Sequence, residues 1–160
     1  MKINWFHMNR SLTHIIVHCS DSEWGSAREI RKWHLARGWR DIGYQIVILN
    51  GQILPSLFIP ALNGSIELGR PFDGDMFVAD NEIGAHALGY NDRSIGICGI
   101  AKARWSASQE LSLIHLLRDL QRIFHIKTEN ILGHNETESG KAQGKTCPNL
   151  NMDGIREWLK

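Results

Sequence analysis

Cysteine is scarce in this sequence, and its scarcity limits how the fold can be stabilised. Three cysteines occur among 160 residues, at positions 19, 98 and 147. An odd number at such wide spacing argues against the disulfide framework of small secreted domains. We therefore expect free thiols and synthesis in a reducing cytoplasm.

Long apolar segments are missing as well. No run approaches the roughly 18 apolar residues that a membrane-spanning helix requires. Residues 1–10 lack the uninterrupted apolar core of a secretory signal. The sequence therefore predicts neither a membrane span nor an export signal.

A surplus of charge is absent too. The chain has 18 lysines and arginines against 17 aspartates and glutamates, a formal net charge of +1. Because nucleic-acid binding needs a concentrated basic surface, this balance gives no indication of such a partner. The length of 160 residues predicts one domain, residues 1–160, which is large enough to bury about two thirds of its unfolded surface without metal or disulfide. We expect a monomer in which any metal serves chemistry.

Short β-branched runs alternate with amphipathic helical patterns. Ser26 and Glu29 form a capping box before a helix that closes at Gly38, and Ser106 and Gln109 form another before a helix that continues to about residue 124. We predict strands at 13–19, 43–49, 65–68, 94–101 and 130–132, and a last helix at 152–159. This order predicts an α/β (α+β mixed) fold, with a central mixed β-sheet flanked by helices.

Two connecting segments lie between these elements. Asn50 and Gly51 are predicted to form a hairpin-type turn. Pro55 and Pro60 interrupt the apolar residues that follow, so we interpret residues 52–64 as an irregular packed excursion rather than a helix or central strand. Residues 69–92 are predicted to form a long loop, and loops of that length commonly build a site.

Three residues far apart in the sequence have the chemistry of a zinc site. His18 ends the first predicted strand, His134 follows a glycine after a later strand, and Cys147 lies in a Lys-Thr-Cys-Pro segment. Two imidazoles and a thiolate suit a catalytic zinc whose fourth position is left open for water. The Lys145 ammonium would lie near that metal, because residues i and i+2 of an extended segment, here Lys145 and Cys147, face the same side.

Neighbouring histidine and cysteine residues are weaker candidates. His14 shares a strand face with His18, but four residues span roughly 13 Å, which is too far for both to bind one zinc. Cys19 should point away from His18, so we interpret Cys19 and Cys98 as core thiols. His18 alone would also be explained as a half-buried strand histidine.

Five separated blocks of sequence carry a family resemblance. IIVHCS, REIRKWHLARGWRDIGY, GAHALGYNDRSIGIC, GHNE and KTCP occur in this order. Together they resemble the zinc-dependent N-acetylmuramoyl-L-alanine amidases of the phage lysozyme and peptidoglycan-recognition-protein superfamily, specifically the T7-lysozyme-like branch. The resemblance runs from about residue 13 to residue 159, and several motifs in register are more specific than any one.

This resemblance implies roles for eight residues. The implied roles are zinc ligands for His18, His134 and Cys147, catalytic side chains for Tyr44 and Lys145, and substrate-groove residues for His86, Asn91 and Arg70. Without the resemblance, Tyr44 would be an ordinary strand aromatic and Lys145 a solvated loop lysine. His86 and Asn91 would order their loop, and Arg70 would be structural.

The resemblance also implies an activity. Such enzymes cut the amide between the lactyl group of N-acetylmuramic acid and L-alanine, so Zn²⁺ is the expected cofactor and peptidoglycan or muropeptide the expected substrate. We expect a phage or prophage endolysin, made in the cytoplasm and acting on the wall after release. The alternatives are a non-catalytic peptidoglycan-recognition module, a cytosolic amidase that recycles muropeptides, and a metal-free hydrolase in which His134 activates Cys147 as a nucleophile.

Two features depart from the family pattern. Many relatives carry a histidine where this chain has Gln45, which should face away from Tyr44 and therefore affect packing more than the metal. Residues 52–64 are longer than the tight hairpin usual at this point, which alters the expected shape of the groove. We expect their apolar side chains to pack in a loop rather than to bind a membrane or partner.

Overall fold

A five-stranded mixed sheet lies at the centre of the computed structural model, which describes residues 10–160. The strands are β1 (His14–Cys19), β2 (Ile46–Leu54), β3 (Leu57–Leu68), β4 (Ser94–Gly99) and β5 (Ile131–Gly133), in the sheet order β3-β2-β4-β1-β5. All neighbouring pairs are parallel except β2 with β3. The predicted mixed sheet is therefore confirmed. Residues 1–9, which belong to the segment that lacks a signal-type core, lie outside the described part.

Four α-helices occur in the described part: α1 (Ala27–Ala36), α2 (Ala107–Phe124), α3 (Glu138–Ala142) and α4 (Met152–Glu157). Ser106 forms the predicted capping box with Gln109. At α1 half of the predicted box is present: the Ser26 side chain accepts a hydrogen bond from the Glu29 amide, while the Glu29 carboxylate accepts from Lys32. Within residues 10–160, no helix has the combination of length and hydropathy needed to cross a membrane.

Helices cover both faces of the sheet. On one face, Leu113 and Leu117 of α2 belong to the same buried cluster as Ile97 of β4. On the other, Ile30 of α1 lies in a second cluster with Cys98. Successive residues of β4 point to opposite faces, so both faces of this strand are in the core. Cys98 is fully buried, as predicted for a core thiol.

The prediction for residues 50–64 is wrong. Asn50 and Gly51 lie inside β2, the turn falls at residues 55–56, and β3 runs from residue 57 through the short strand predicted at 65–68. Gly51 has a φ of +88° beside shifts in the β2–β3 register, so it marks a bulge rather than a turn. Pro60 is tolerated because β3 is an edge strand, where some backbone N–H groups have no strand to pair with.

Candidate active site

The three predicted ligand residues meet at the carboxyl end of β1. His18 is in β1, His134 begins a single 3-10 turn directly after β5, and Cys147 lies in the loop between α3 and α4. Their ligand atoms all lie within 4.8 Å of one another, and Nδ1 of His18 is 3.9 Å from Sγ of Cys147. Because β1 and β5 are parallel neighbours, their carboxyl ends bring both histidines to the same edge of the sheet.

A network of hydrogen bonds centred on Glu136 holds the backbone around His134. Glu136 accepts the Gly133 amide proton at 2.7 Å, and its two carboxylate oxygens accept from the Arg156 guanidinium at 2.7 and 2.8 Å. A Cβ on Gly140 would lie 1.8 Å from the His134 carbonyl oxygen, so α3 approaches this backbone as closely as only glycine permits. The network fixes the position from which the His134 imidazole projects.

The segment carrying Cys147 is held from three sides. The Asn135 amide donates to the Cys147 carbonyl at 2.8 Å, and the Trp105 indole N–H donates to the Pro148 carbonyl at 2.9 Å. The Cys19 amide donates to Sγ of Cys147 at 3.2 Å. A hydrogen bond donated to sulfur favours the thiolate, the form in which cysteine binds a metal.

Burial keeps both histidines of the group neutral. The pKa of His18 is lowered well below 6.5, first by burial and then by His86 and His134, and the pKa of His134 is lowered by burial and then by Lys145. A neutral imidazole has a free lone pair for a metal.

The two thiols at the site influence each other. A hydrogen bond from Cys147 lowers the pKa of Cys19 to about 7, whereas the pKa of Cys147 is raised by the same contact and by burial. A bound divalent cation would reverse this order, because a coordinating thiol loses its proton. Cys19 is buried as predicted, but it also lines the site beside the sulfur of Cys147.

An open cavity of about 320 Å³ exposes the ligand group, and its walls include the two predicted catalytic side chains. The Tyr44 ring centroid is 5.1 Å from that of His18. Burial, followed by the nearby thiols, raises the pKa of Tyr44 well above 10, so its phenol keeps its proton and acts as a hydrogen-bond donor. Lys145 is exposed at the same wall.

Five further residues of the cavity wall were given no role from the sequence: Ser20, Asp21, Arg37, Thr146 and Asn149. Ser20 and Asp21 directly follow β1, so their place after the His18 strand was an available signal. Arg37 ends α1 and Asn149 follows Cys147 by two residues. Arg37 reaches the site only because α1 packs against the sheet, which no local pattern predicts.

The residues expected in the substrate groove lie outside the cavity lining. Arg70 is 4% exposed, and its Nε donates to the Ile42 carbonyl at 2.8 Å. The Asn91 side chain accepts from the amides of His86 and Ala87 at 2.8 and 2.9 Å, so it orders its loop. His86 is buried, with Nδ1 3.0 Å from Nε2 of His18.

Gln45 joins the long loop to the sheet. Its Nε2 donates to the Glu82 carbonyl and its Oε1 accepts from the Gly96 amide, each at 2.8 Å. Gln45 is buried and, unlike Tyr44, is not part of the cavity wall. This arrangement agrees with a packing role.

The donor set fits zinc. Zinc takes imidazole nitrogen at about 2.0–2.1 Å and thiolate sulfur at about 2.3 Å in a tetrahedral arrangement, and ligand atoms within 4.8 Å of each other need only small side-chain movements to reach it. His14, which instead contacts Thr13 Oγ1 at 2.7 Å, is not in the group. Two histidines and a cysteine that could hold a metal ion, on a cavity beside a phenol and an ammonium, suit a metal-dependent hydrolase.

Comparison with known proteins gives the family. The sequence model of the N-acetylmuramoyl-L-alanine amidase family matches residues 8–150 of this chain. The chain belongs to this family and is an amidase that acts on peptidoglycan.

Several relatives cover nearly the whole chain. The endolysin of Escherichia phage T7 is 30% identical in an alignment of 164 positions that covers 97% of this chain and 91% of that protein. The endolysin of Enterobacteria phage T3 is 30% identical in an alignment of 155 positions that covers 91% of this chain and 85% of that protein. Among solved structures, the amidase LysC from Clostridium intestinale superposes with a TM-score of 0.71 at 25% identity, covering 93% of this chain and 85% of that one.

Proposed function

We propose that this amidase holds a catalytic zinc between His18, His134 and Cys147 and works as a phage endolysin. The convergence of the three ligand atoms within 4.8 Å, at the base of an open cavity, carries the proposal. The bond cut would be the amide between the lactyl group of N-acetylmuramic acid and L-alanine. The resemblance to endolysins of phages T7 and T3 supports action on the wall after release.

The protein side chains would divide the work at the reacting amide. When bound, zinc supplies Lewis-acid chemistry that polarises a carbonyl and acidifies water. Tyr44, whose phenol stays protonated, would donate a hydrogen bond to oxygen atoms in the cavity. The Lys145 ammonium, on the same wall, would stabilise negative charge on the carbonyl oxygen. A preorganised donor of this kind lowers the activation barrier by about 3 kcal/mol, which raises the rate on the order of a hundredfold.

Arg70 and Asn91 receive no substrate contact in this proposal, because their polar atoms serve the fold. Arg70 donates to backbone carbonyls, and Asn91 accepts from two loop amides. They would shape the groove by holding its loops.

The test of the activity is product analysis on defined peptidoglycans with zinc supplied. Mass spectrometry should find stem peptides with a free L-alanine amine and muramic acid with a free lactyl carboxylate. Protein that binds wall fragments and releases no such amine would be a recognition module, and the proposal would be lost. Faster release from intact sacculi than from soluble muropeptides would support an endolysin over a recycling enzyme.

A Cys147→Asp variant separates the zinc mechanism from a thiol nucleophile. A carboxylate can replace a thiolate as a zinc ligand but cannot act as the sulfur nucleophile. We expect Cys147→Asp to retain zinc and measurable activity, and Cys147→Ala to lose both. Full wild-type activity after rigorous removal of metal would instead favour the thiol mechanism.

A further inference from the structure

His86 lies directly behind the proposed ligand His18. Nδ1 of His86 is 3.0 Å from Nε2 of His18, and the two rings are nearly perpendicular at 85°. The other nitrogen of His18, Nδ1, faces Cys147 at 3.9 Å. The two nitrogens of His18 therefore have different partners, and the hydrogen bond at Nε2 decides which nitrogen is left for a metal.

The direction of this hydrogen bond follows from the contact that the other nitrogen of His86, Nε2, makes with Ser94. Ser94 Oγ donates its single proton to the Tyr90 carbonyl at 2.7 Å. Its contact with Nε2 of His86, at 3.4 Å, must then be accepted by Ser94 and donated by His86. A neutral imidazole carries one N–H, so Nδ1 of His86 is an acceptor and Nε2 of His18 is the donor. His18 is left with its lone pair on Nδ1.

Two glycines make room for the His86 ring. A Cβ on Gly84 would lie 2.5 Å from Cδ2 of His86, and a Cβ on Gly96 would lie 2.7 Å from the same atom. Asn91 also holds the His86 amide at 2.8 Å. The ring is thus confined by a loop, by β4 and by its own backbone, as a residue that orients another side chain must be.

We propose that His86 is a positioning residue that accepts the Nε2 proton of His18 and thereby presents Nδ1 of His18 to the zinc. The inference rests on the proposed zinc site and deepens it. Outer-shell partners of this kind typically change metal affinity by about 10- to 100-fold when they are removed.

A matched pair of substitutions tests the acceptor. Leucine and asparagine have nearly the same shape, but Asn carries Oδ1 close to the place of Nδ1. We expect His86→Leu to bind zinc about 10- to 100-fold more weakly in competition with a chromogenic chelator. We expect His86→Asn to recover most of that loss. Equal weakening in both variants would show that the ring only fills space, and wild-type affinity in His86→Leu would also overturn the proposal.

A spectroscopic measurement on the wild-type protein tests the same proposal without depending on whether a variant folds. In zinc-loaded protein labelled with ¹⁵N at histidine, we expect both His18 and His86 to carry their proton on Nε2. A proton on Nδ1 of either ring would overturn the proposal. If wild-type protein fails to bind one zinc, the proposed function itself fails. If it binds zinc while the proton positions are reversed, only the role of His86 is lost.

Discussion

β4 and β3 belong to one sheet but lie in opposite surroundings. All six residues of β4 are buried, between β1 and β2 and under helices on both faces. None of the twelve residues of β3 is buried, and Leu68 at its end is 80% exposed. β1, which carries His18, resembles β4, since five of its six residues are buried.

This difference distinguishes the buried strands that support the site from the edge strand β3, whose sequence can vary more freely. Metal ligands must be held closely, and strands packed on both faces restrict their backbone best. An edge strand can instead contain a proline and bulges, features that also discourage pairing with another chain. β3 shows both, in Pro60 and in the irregular register with β2. Changes near the buried strands should therefore affect zinc and catalysis, whereas changes in β3 should not.

The largest effect is expected for His134→Ala. If His134 is a zinc ligand as proposed, its removal should abolish binding of one zinc and reduce activity by at least about a thousandfold, because a water molecule would lose the metal that acidifies it. Metal analysis and product release measure both. Ile66→Ala in β3 is the control and should keep zinc and activity, so zinc loss there would break the comparison between the strands.

Lys145→Met should lower kcat by about a hundredfold or more while zinc binding stays unchanged. The reason is loss of an ammonium from the cavity wall without loss of a ligand. Lys141→Met, an exposed lysine of α3, provides the matched control and should leave kcat within about twofold. Equal kinetics for the two variants would exclude Lys145 from catalysis.

The same substitution, isoleucine to alanine, can be made in both strands: Ile97→Ala in β4 and Ile66→Ala in β3. Ile97 is fully buried in β4, so its truncation should reduce the free energy of unfolding by about 2–5 kcal/mol. Ile66 is 46% exposed, and its truncation should cost about 1 kcal/mol or less. Urea unfolding measures both values, and similar losses would contradict the view of β3 as a tolerant edge.

Glu136→Gln should have the smallest effect and a defined pH dependence. The pKa of Glu136 is lowered by its hydrogen bonds with Arg156, so its carboxylate contributes stability above the unfolded pKa of about 4.3 and loses it as pH falls through the lower folded value. At pH 7 we expect a loss of about 1–2 kcal/mol.

Urea unfolding at about pH 7 and about pH 3 checks the sign, since the difference from wild type should shrink in acid. Glu129→Gln is the control, because the Lys127–Glu129 pair has both side chains 74% exposed and should contribute little. A difference for Glu136→Gln that persists unchanged in acid would show that charge is not its cause.

Much of the secondary structure was predictable from local patterns. The capping residues Ser26 and Ser106 located α1 and α2. A β-branched run located β1, and small residues mixed with isoleucine and cysteine located β4. Each of these signals acts within a few residues. The short helix α3 was not predicted, because its five residues are too few for an amphipathic pattern.

The hairpin of β2 and β3 shows where local patterns misled. Asn50–Gly51 has the composition of a turn and Pro60 that of a strand breaker. Both features are compatible with strands when the first is a bulge and the second lies at an open edge. Which strand becomes the edge depends on the pairing of the whole sheet, and no window of sequence contains that information.

The sequence by itself determined the chemistry available to this protein: two histidines, one cysteine, a tyrosine and a lysine in motifs of the amidase family. Only the tertiary structure decided which atoms meet. His18 and His86 are 68 positions apart, yet the hydrogen bond between them selects the nitrogen that His18 presents to the site. Proton positions and ligand distances follow from packing across the sheet, because they depend on contacts between residues that are neighbours only in the folded chain.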